Sequence, residues 1–387
     1  MQLVYSTRVM TGLFSLVAGL LFVVGAAHGS DNGDVPSATG EPALKPSDLL
    51  ASALEQCKGS AVATAGPRSK SGDEVPKFLQ PPNPGDYYPR SAGVQDGQGL
   101  LMVEVLIDRY GNPRFAHIVR QLVSTVPKDF DDATLRLARE ARFKPVSRDG
   151  QPVAVWNTYM VSYLLVYATH LEEFYSAGAL MELVSRARAG DTQAETDVVH
   201  LYEIAPQDIA ITATEYTHFL AVAALAGSGE AKLMVSQRLG NPGCSTAPEI
   251  QDYLHKVAWR GFSPAELLMA TRMLETGDPT QYYDIAILLH GAANSSDPFV
   301  QTWATGLLAT GPVAEIRDPA FALQTARSLS DLSDPDELEV IAASYAANGQ
   351  FDEALKAEDQ ALARAKSLGW NTSPFRARLL SYRANQP

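Results

Sequence analysis

Seven histidines, two cysteines and forty-four carboxylates are the groups in this 387-residue chain that could do chemistry. No pair of histidines or cysteines shows the His-x-x-x-His or Cys-x-x-Cys spacing that puts ligands on one side of a zinc ion. His117 lies in an alternating strand pattern and His290 in an apolar helical one, and both read as structural histidines. No Gly-x-Ser-x-Gly elbow or Gly-x-x-x-x-Gly-Lys loop is present, and Ala226–Lys232, though glycine-rich, reads as a turn between helices. The acids Asp331, Asp334, Asp336, Glu337 and Glu339 lack the ligand order of a calcium loop; they read as a solvated helix start whose charges suit the N-terminal dipole. Arg136, Arg139, Arg142 and Lys144 read as the exposed side of an amphipathic helix and its end. The expectation is a chain with no cofactor, no metal site and no enzymatic activity.

What is left is the chemistry of the main chain, which an edge strand supplies through unpaired N–H and C=O groups. Leu101, Val103, Val105 and Ile107 alternate along one strand. The chain turns at Tyr110–Pro113, and Phe115, His117 and Val119 resume the period of two, which predicts a β-hairpin. Phe130, Ala133, Leu137, Ala138 and Ala141 then share one face of a helix, with Asp129 and Asp131 at capping positions. That helix must end before Pro145, which has no N–H and disfavours helical geometry in the residue before it. Asp149-Gly150 turns the chain into a long strand rich in β-branched and aromatic residues from Pro152 to Tyr167. Trp156 falls on one face of that strand, Tyr159 and Tyr163 on the other, and either set could be the one beneath the helix.

Around this unit the chain divides. A single Arg8 precedes the uncharged run Val9–Ala27 and small residues at Ala27 and Gly29, which is the shape of a secretory signal; uncleaved, the run would serve as a membrane anchor. Residues 30–84 are rich in Gly, Ser, Ala and Pro and read as a flexible linker holding one short helix at Pro46–Cys57. After Glu172 helical patterns follow one another. Gly227 and Gly261 stand 34 residues apart, the period of a two-helix repeat, and the clearest unit breaks at Asn348-Gly349. The net charge of −13 is carried mainly after residue 170, which argues against nucleic acid as a partner. Cys57 and Cys244 are too few and too far apart to define a disulfide framework; a bridge between them and two unpaired thiols both remain open.

Taken in order, Tyr88-Pro89, the Gly99–Val103 strand entry, the Gly111 turn, Asp131 on the helix, Arg142-Phe143-Lys144-Pro145 and Gly150 before the last strand resemble the C-terminal domain of TonB-like proteins. Ala141 stands where the family usually has an aromatic, and Thr134 where it usually has alanine. The C-terminal part resembles tetratricopeptide or Sel-like repeats, which present concave surfaces to partners. The fold class expected is α+β: a strand-strand-helix-strand domain (85–170) followed by an all-α repeat solenoid (171–387).

The resemblance implies a periplasmic domain that adds an extended peptide of an envelope protein to its last strand. The residues to examine are then Tyr88, Pro89, Val155, Asn157, Tyr159, Val161 and Tyr163, with a second partner in the repeat groove. The alternative is an inner-membrane-anchored energy transducer acting on outer-membrane transporters. It ranks second, because the apolar run Thr11–Ala27 carries no histidine and the spacer is short. A chain cut after Glu172 is expected to retain a folded small domain.

Overall fold

A computed structural model describes residues 46–56, 76–94, 97–123, 126–148, 150–163, 175, 177–229, 231–232, 234–235, 248–329 and 334–387. The signal or anchor segment, most of the linker, both cysteines and Asp149 lie outside them. Three strands, β2 (Gly99–Ile107), β3 (Pro113–Val123) and β7 (Val155–Tyr163), form an antiparallel sheet in the order β3-β2-β7. The helix α3 (Pro127–Glu140) crosses one face, so the predicted strand-strand-helix-strand unit is present. Short pairs complete it: β1 (Phe78–Gln80) with β4 (Arg142–Phe143), and β5 (Val146–Arg148) with β6 (Gln151–Val153). A four-residue helix, α2 (Arg90–Gly93), leads into β2.

Register decides the faces. Leu101, Val103 and Ile107 lie opposite Val161, Tyr159 and Val155, and this set is buried with Phe130, Leu137 and Phe143 in the core beneath α3. Tyr159 and Tyr163 are therefore the helix-facing set, and Trp156, Thr158, Met160 and Ser162 face the other way. Asp129 and Asp131 do not cap α3. The helix begins at Pro127 behind Val126, whose φ is 42°, and Asp129 sits inside the first turn, accepting a hydrogen bond from Ser91 Oγ.

The hairpin turn is built by Asp108, whose Oδ1 accepts from the N–H groups of Tyr110 (2.8 Å) and Asn112 (2.9 Å). Gly111 has φ +83°, and a Cβ there would stand 2.2 Å from the carbonyl oxygen of Phe143. Gly150 also has positive φ (+77°) but has open space around it. Gly111→Ala should therefore cost well beyond the ~1 kcal/mol of backbone strain expected of Gly150→Ala, measured as the difference in urea unfolding midpoint.

The other α-helices bounded within the described residues are α1 (Pro46–Gln56), α4 (Ala177–Arg188), α5 (Thr192–Ile204), α6 (Ala213–Ala226), α7 (Pro248–Ala258), α8 (Ser263–Thr276), α9 (Tyr282–Ala293), α10 (Pro298–Thr310), α11 (Pro319–Ala326), α12 (Pro335–Ala347), α13 (Phe351–Ser367) and α14 (Ser373–Arg383). Sequence neighbours pack on one another as helical repeats do; Gly227 (φ +110°) caps α6, and Gly261 (φ +82°) follows the end of α7. Two features depart from a domain followed by an array. First, α1, the short helix expected inside the linker, packs against α6 and α7 and buries Leu50 and Leu54 in the array. The stretch 30–84 is thus not linker throughout: residues 46–56 and 76–84 are built into the fold. Second, Leu100 and Leu122 on the far face of the sheet share a core with α1 and α4–α6, and Trp156 meets Phe299 and Trp303 of α10 with ring centroids 5.8 and 5.5 Å away. The sheet is a middle layer, between α3 and the array.

Candidate docking edge

Two strands border the sheet, and the structure treats them differently. On β3 the array occupies the edge. The Phe115 N–H donates to Asp336 Oδ2, and His200 Nε2 of α5 lies 2.6 Å from the carbonyl oxygen of Gln121. Phe115 has φ 49°, and the β2–β3 register shifts on both sides of Val103-Glu104, so this edge is also bulged. On β7 every residue pairs inward with β2, and among the described residues no strand pairs with its outer side.

The residues singled out from the sequence separate into roles. Val155, Val161 and Tyr163 are fully buried and Tyr159 nearly so, all beneath α3. Tyr159 lies 5.2 Å from the Phe78 ring, edge to face, and burial pushes its phenol far above the ordinary range. Asn157 shares that face but is half-buried. Tyr88 meets Phe130 edge-on at 6.0 Å and stands 6.4 Å from Tyr163, while its hydroxyl donates to the Gly97 carbonyl at 2.5 Å. Tyr88 and Tyr163 are thus brought together as a brace at one end of the sheet, and Pro89 starts α2 beside them. What β7 offers at its margin is main chain, with Asn157, Thr158 and Met160 the partly exposed side chains along it.

The motif residues serve the frame. Gly99 admits Phe130 and Val123 to within 3.2 Å of where its Cβ would be. Phe143 N–H donates to the Gly111 carbonyl at 3.3 Å. Arg142 Nε donates to the Gly369 carbonyl at 3.0 Å, tying β4 to the loop after α13. Asp131, half-buried beside Asp132, has its carboxyl raised to about 6, chiefly by desolvation. Pro145 is exposed between β4 and β5.

The acids at the start of α12 are not the solvated helix start that the sequence suggests. Asp334, Asp336, Glu337 and Glu339 are all buried. Asp336 and Glu339 bind Arg114 of β3, and Asp334 binds Arg139 of α3. Burial acts to lower the Arg114 pKa, but Asp336 and Asp108 outweigh it and leave the guanidinium more basic than usual. Arg139 therefore does not belong to an exposed helix face, whereas Arg136 does, lying over the Tyr87 ring at 5.4 Å. The same seam continues through Asn112, whose side chain donates to the Asn371 carbonyl (3.1 Å) and accepts from the Asn371 N–H (2.6 Å), and through Trp370 Nε1, which donates to the Arg139 carbonyl at 2.7 Å. None of these pairings was named from the sequence. The one signal pointing to them is the coincidence of an arginine-rich sheet segment with a dense acidic run elsewhere.

Among the described residues no group of three or more His, Cys, Asp or Glu side chains could hold a metal ion, and no helix is long and apolar enough to cross a membrane. Residues 84–165 match the family model described as Gram-negative bacterial TonB protein C-terminal. The matched span is the sheet, α3 and the segment leading into them, and it points to interaction with proteins of the Gram-negative envelope. The helices that follow are consistent with repeats of no identified family. No curated protein and no solved structure gives a significant match to the chain.

Proposed function

We propose that this protein is a non-enzymatic, periplasmic binding protein that adds one extended peptide of an envelope protein to the outer edge of β7. The observation that carries this reading is the asymmetry of the sheet: β3 is bound and bulged, while β7 has no strand on its outer side among the described residues. An added strand gains main-chain hydrogen bonds from such an edge, and its alternate side chains give selectivity. The array contributes by holding the sheet from behind. Its helices α1 and α4–α6 share a core with the far face of the sheet.

Proline at Tyr159 or Val161 would empty the core as well as remove an N–H, so neighbouring positions at the margin make the cleaner test. In an antiparallel edge strand adjacent residues alternate between N–H groups that point inward and outward. Of Asn157→Pro and Thr158→Pro, one should break the ladder to β2 and unfold the domain. The other should fold and lose binding to extended peptides selected against the wild-type chain. In hydrogen exchange the selected peptides should protect β7 amides and leave β3 amides unchanged. Protection confined to the array, with β7 unaffected, would refute the proposal.

A further inference from the structure

The seam between β3 and the last helices contains a carboxylate that no recognition step uses. Glu358 of α13 is completely buried. Its Oε1 accepts from Arg378 Nε of α14 at 3.0 Å, and its Oε2 has no hydrogen-bond partner. Arg378 also binds Glu339 of α12, and Glu339 in turn binds Arg114 of β3, so three successive contacts join Glu358 to the strand edge that the array grips.

Counting charges across this cluster is informative. Arg114, Arg139 and Arg378 face Asp334, Asp336 and Glu339 through direct ion pairs. These direct ion pairs already engage all three cations, with Glu337, Asp108 and Asp359 as further acids at this end of the fold, so none of the three is left over for an ionised Glu358. Ionised, Glu358 adds one more buried anion, competing with Glu339 for Arg378, and an unbalanced buried charge is costly. The other groups acting here are Asp359 on the same helix, Tyr382 on α14 and Asp108 at the hairpin turn.

We propose that a proton held on Glu358 latches the array onto the β3 edge, so that alkaline conditions loosen this grip. The carboxyl titrates where such a latch needs it to: burial raises it to about 8, with Arg114 opposing and Asp359 adding to the shift. Tyr382, raised to about 12 by burial and by Glu358, keeps its proton throughout. The folded state therefore retains a proton that the unfolded chain releases near the ordinary glutamate value of 4.5. Stability from this group is full below that value, declines as pH rises toward 8, and is level above it.

The test uses the full chain and Glu358→Gln, which keeps the shape and the neutral state. The unfolding constant of wild type relative to E358Q should rise by up to about tenfold per pH unit between pH 5 and 8 and then level. Hydrogen exchange of Phe115–His117, corrected for intrinsic base catalysis, should lose protection in wild type between pH 7 and 9 and keep it in E358Q. Protection retained in wild type through pH 9.5, or lost equally in both proteins, would overturn the proposal. If E358Q does not fold, carboxyl-labelled wild type answers the question directly. A Glu358 resonance, identified by its proximity to Arg378, that titrates in the ordinary glutamate range would overturn the latch.

Discussion

A fragment of residues 76–176, freed from the array, is expected to lose cooperative folding and to self-associate, reversing the outcome anticipated from sequence for a chain cut after Glu172. In the full chain Leu100, Leu122 and Trp156 are no more than 9% exposed, and each is covered by helices outside the fragment. Baring three such side chains forfeits about 1.5–3 kcal/mol apiece, or roughly 5–9 kcal/mol together, as an upper estimate. That equals the whole stability of many domains of this size. The bared leucines and tryptophan would also lie next to a newly opened β3 edge, a combination that favours strand-to-strand association. Urea unfolding followed by fluorescence and by sedimentation checks both parts. A monomeric fragment with one sharp transition would show that the sheet stands alone and that the shared core adds little.

The second large effect is expected at Arg114. Arg114→Met keeps much of the apolar stem, while the guanidinium carbon that it removes lies 5.6 and 5.7 Å from the ring centroids of Trp370 and Phe375. It removes the positive charge held between Asp336 and Glu339, whose side chains are 5% and 10% exposed. Leaving two buried carboxylates without that partner should cost about 3–5 kcal/mol, seen as a lower urea midpoint at pH 7. Part of the loss should return in acid, where the stranded carboxylates take up protons. Arg188→Met provides the contrast. Arg188 pairs with Glu215 at 2.8 Å, but its side chain is 51% exposed, and solvent screening leaves such a pair contributing little, so its urea midpoint should barely move. Equal effects of the two substitutions would mean that the seam is wetter than its burial indicates.

Much of the small domain was legible because local rules agree there. The hairpin and the helix ending before Pro145 follow from periodicity and turn chemistry and lie where those signals place them; the last strand is present as β6 and β7, interrupted at Ala154, and its expected end at 164–167 lies outside the described residues. Which face of β7 lies under α3 was not legible, and the reason is physical. A sheet covered on one side alternates apolar and polar residues, but this one is covered on both, so Trp156 and Met160 are as apolar as Tyr159 and Val161. The acidic run before α12 misled for a related reason. Asp334 does act as a helix cap, accepting from the Asp336 N–H at 2.8 Å, so the local reading was correct as far as it went. Its other partner, Arg139, is 195 residues away, and no local pattern announces it. At the candidate site, the resemblance pointed to β7, whereas the closure of β3 by Asp336 and His200 became visible only in three dimensions.

The paired contacts of Asn112 with Asn371 also bear on how the chain reaches this state. The two residues are 259 positions apart, and Trp370 reaches back 231 positions to Arg139. A ribosome or an export channel delivers the hairpin long before it delivers the loop that closes over it. The turn must therefore wait for residues 370 and 371 before this corner closes. Loop-closure entropy makes such distant pairings slow to form. The face over α1 and α4–α6 and the β3 edge at His200 and Asp336 can close earlier, so the hairpin turn at Asn112 and the Arg139 carbonyl are the corner of the seam that waits longest for its partners.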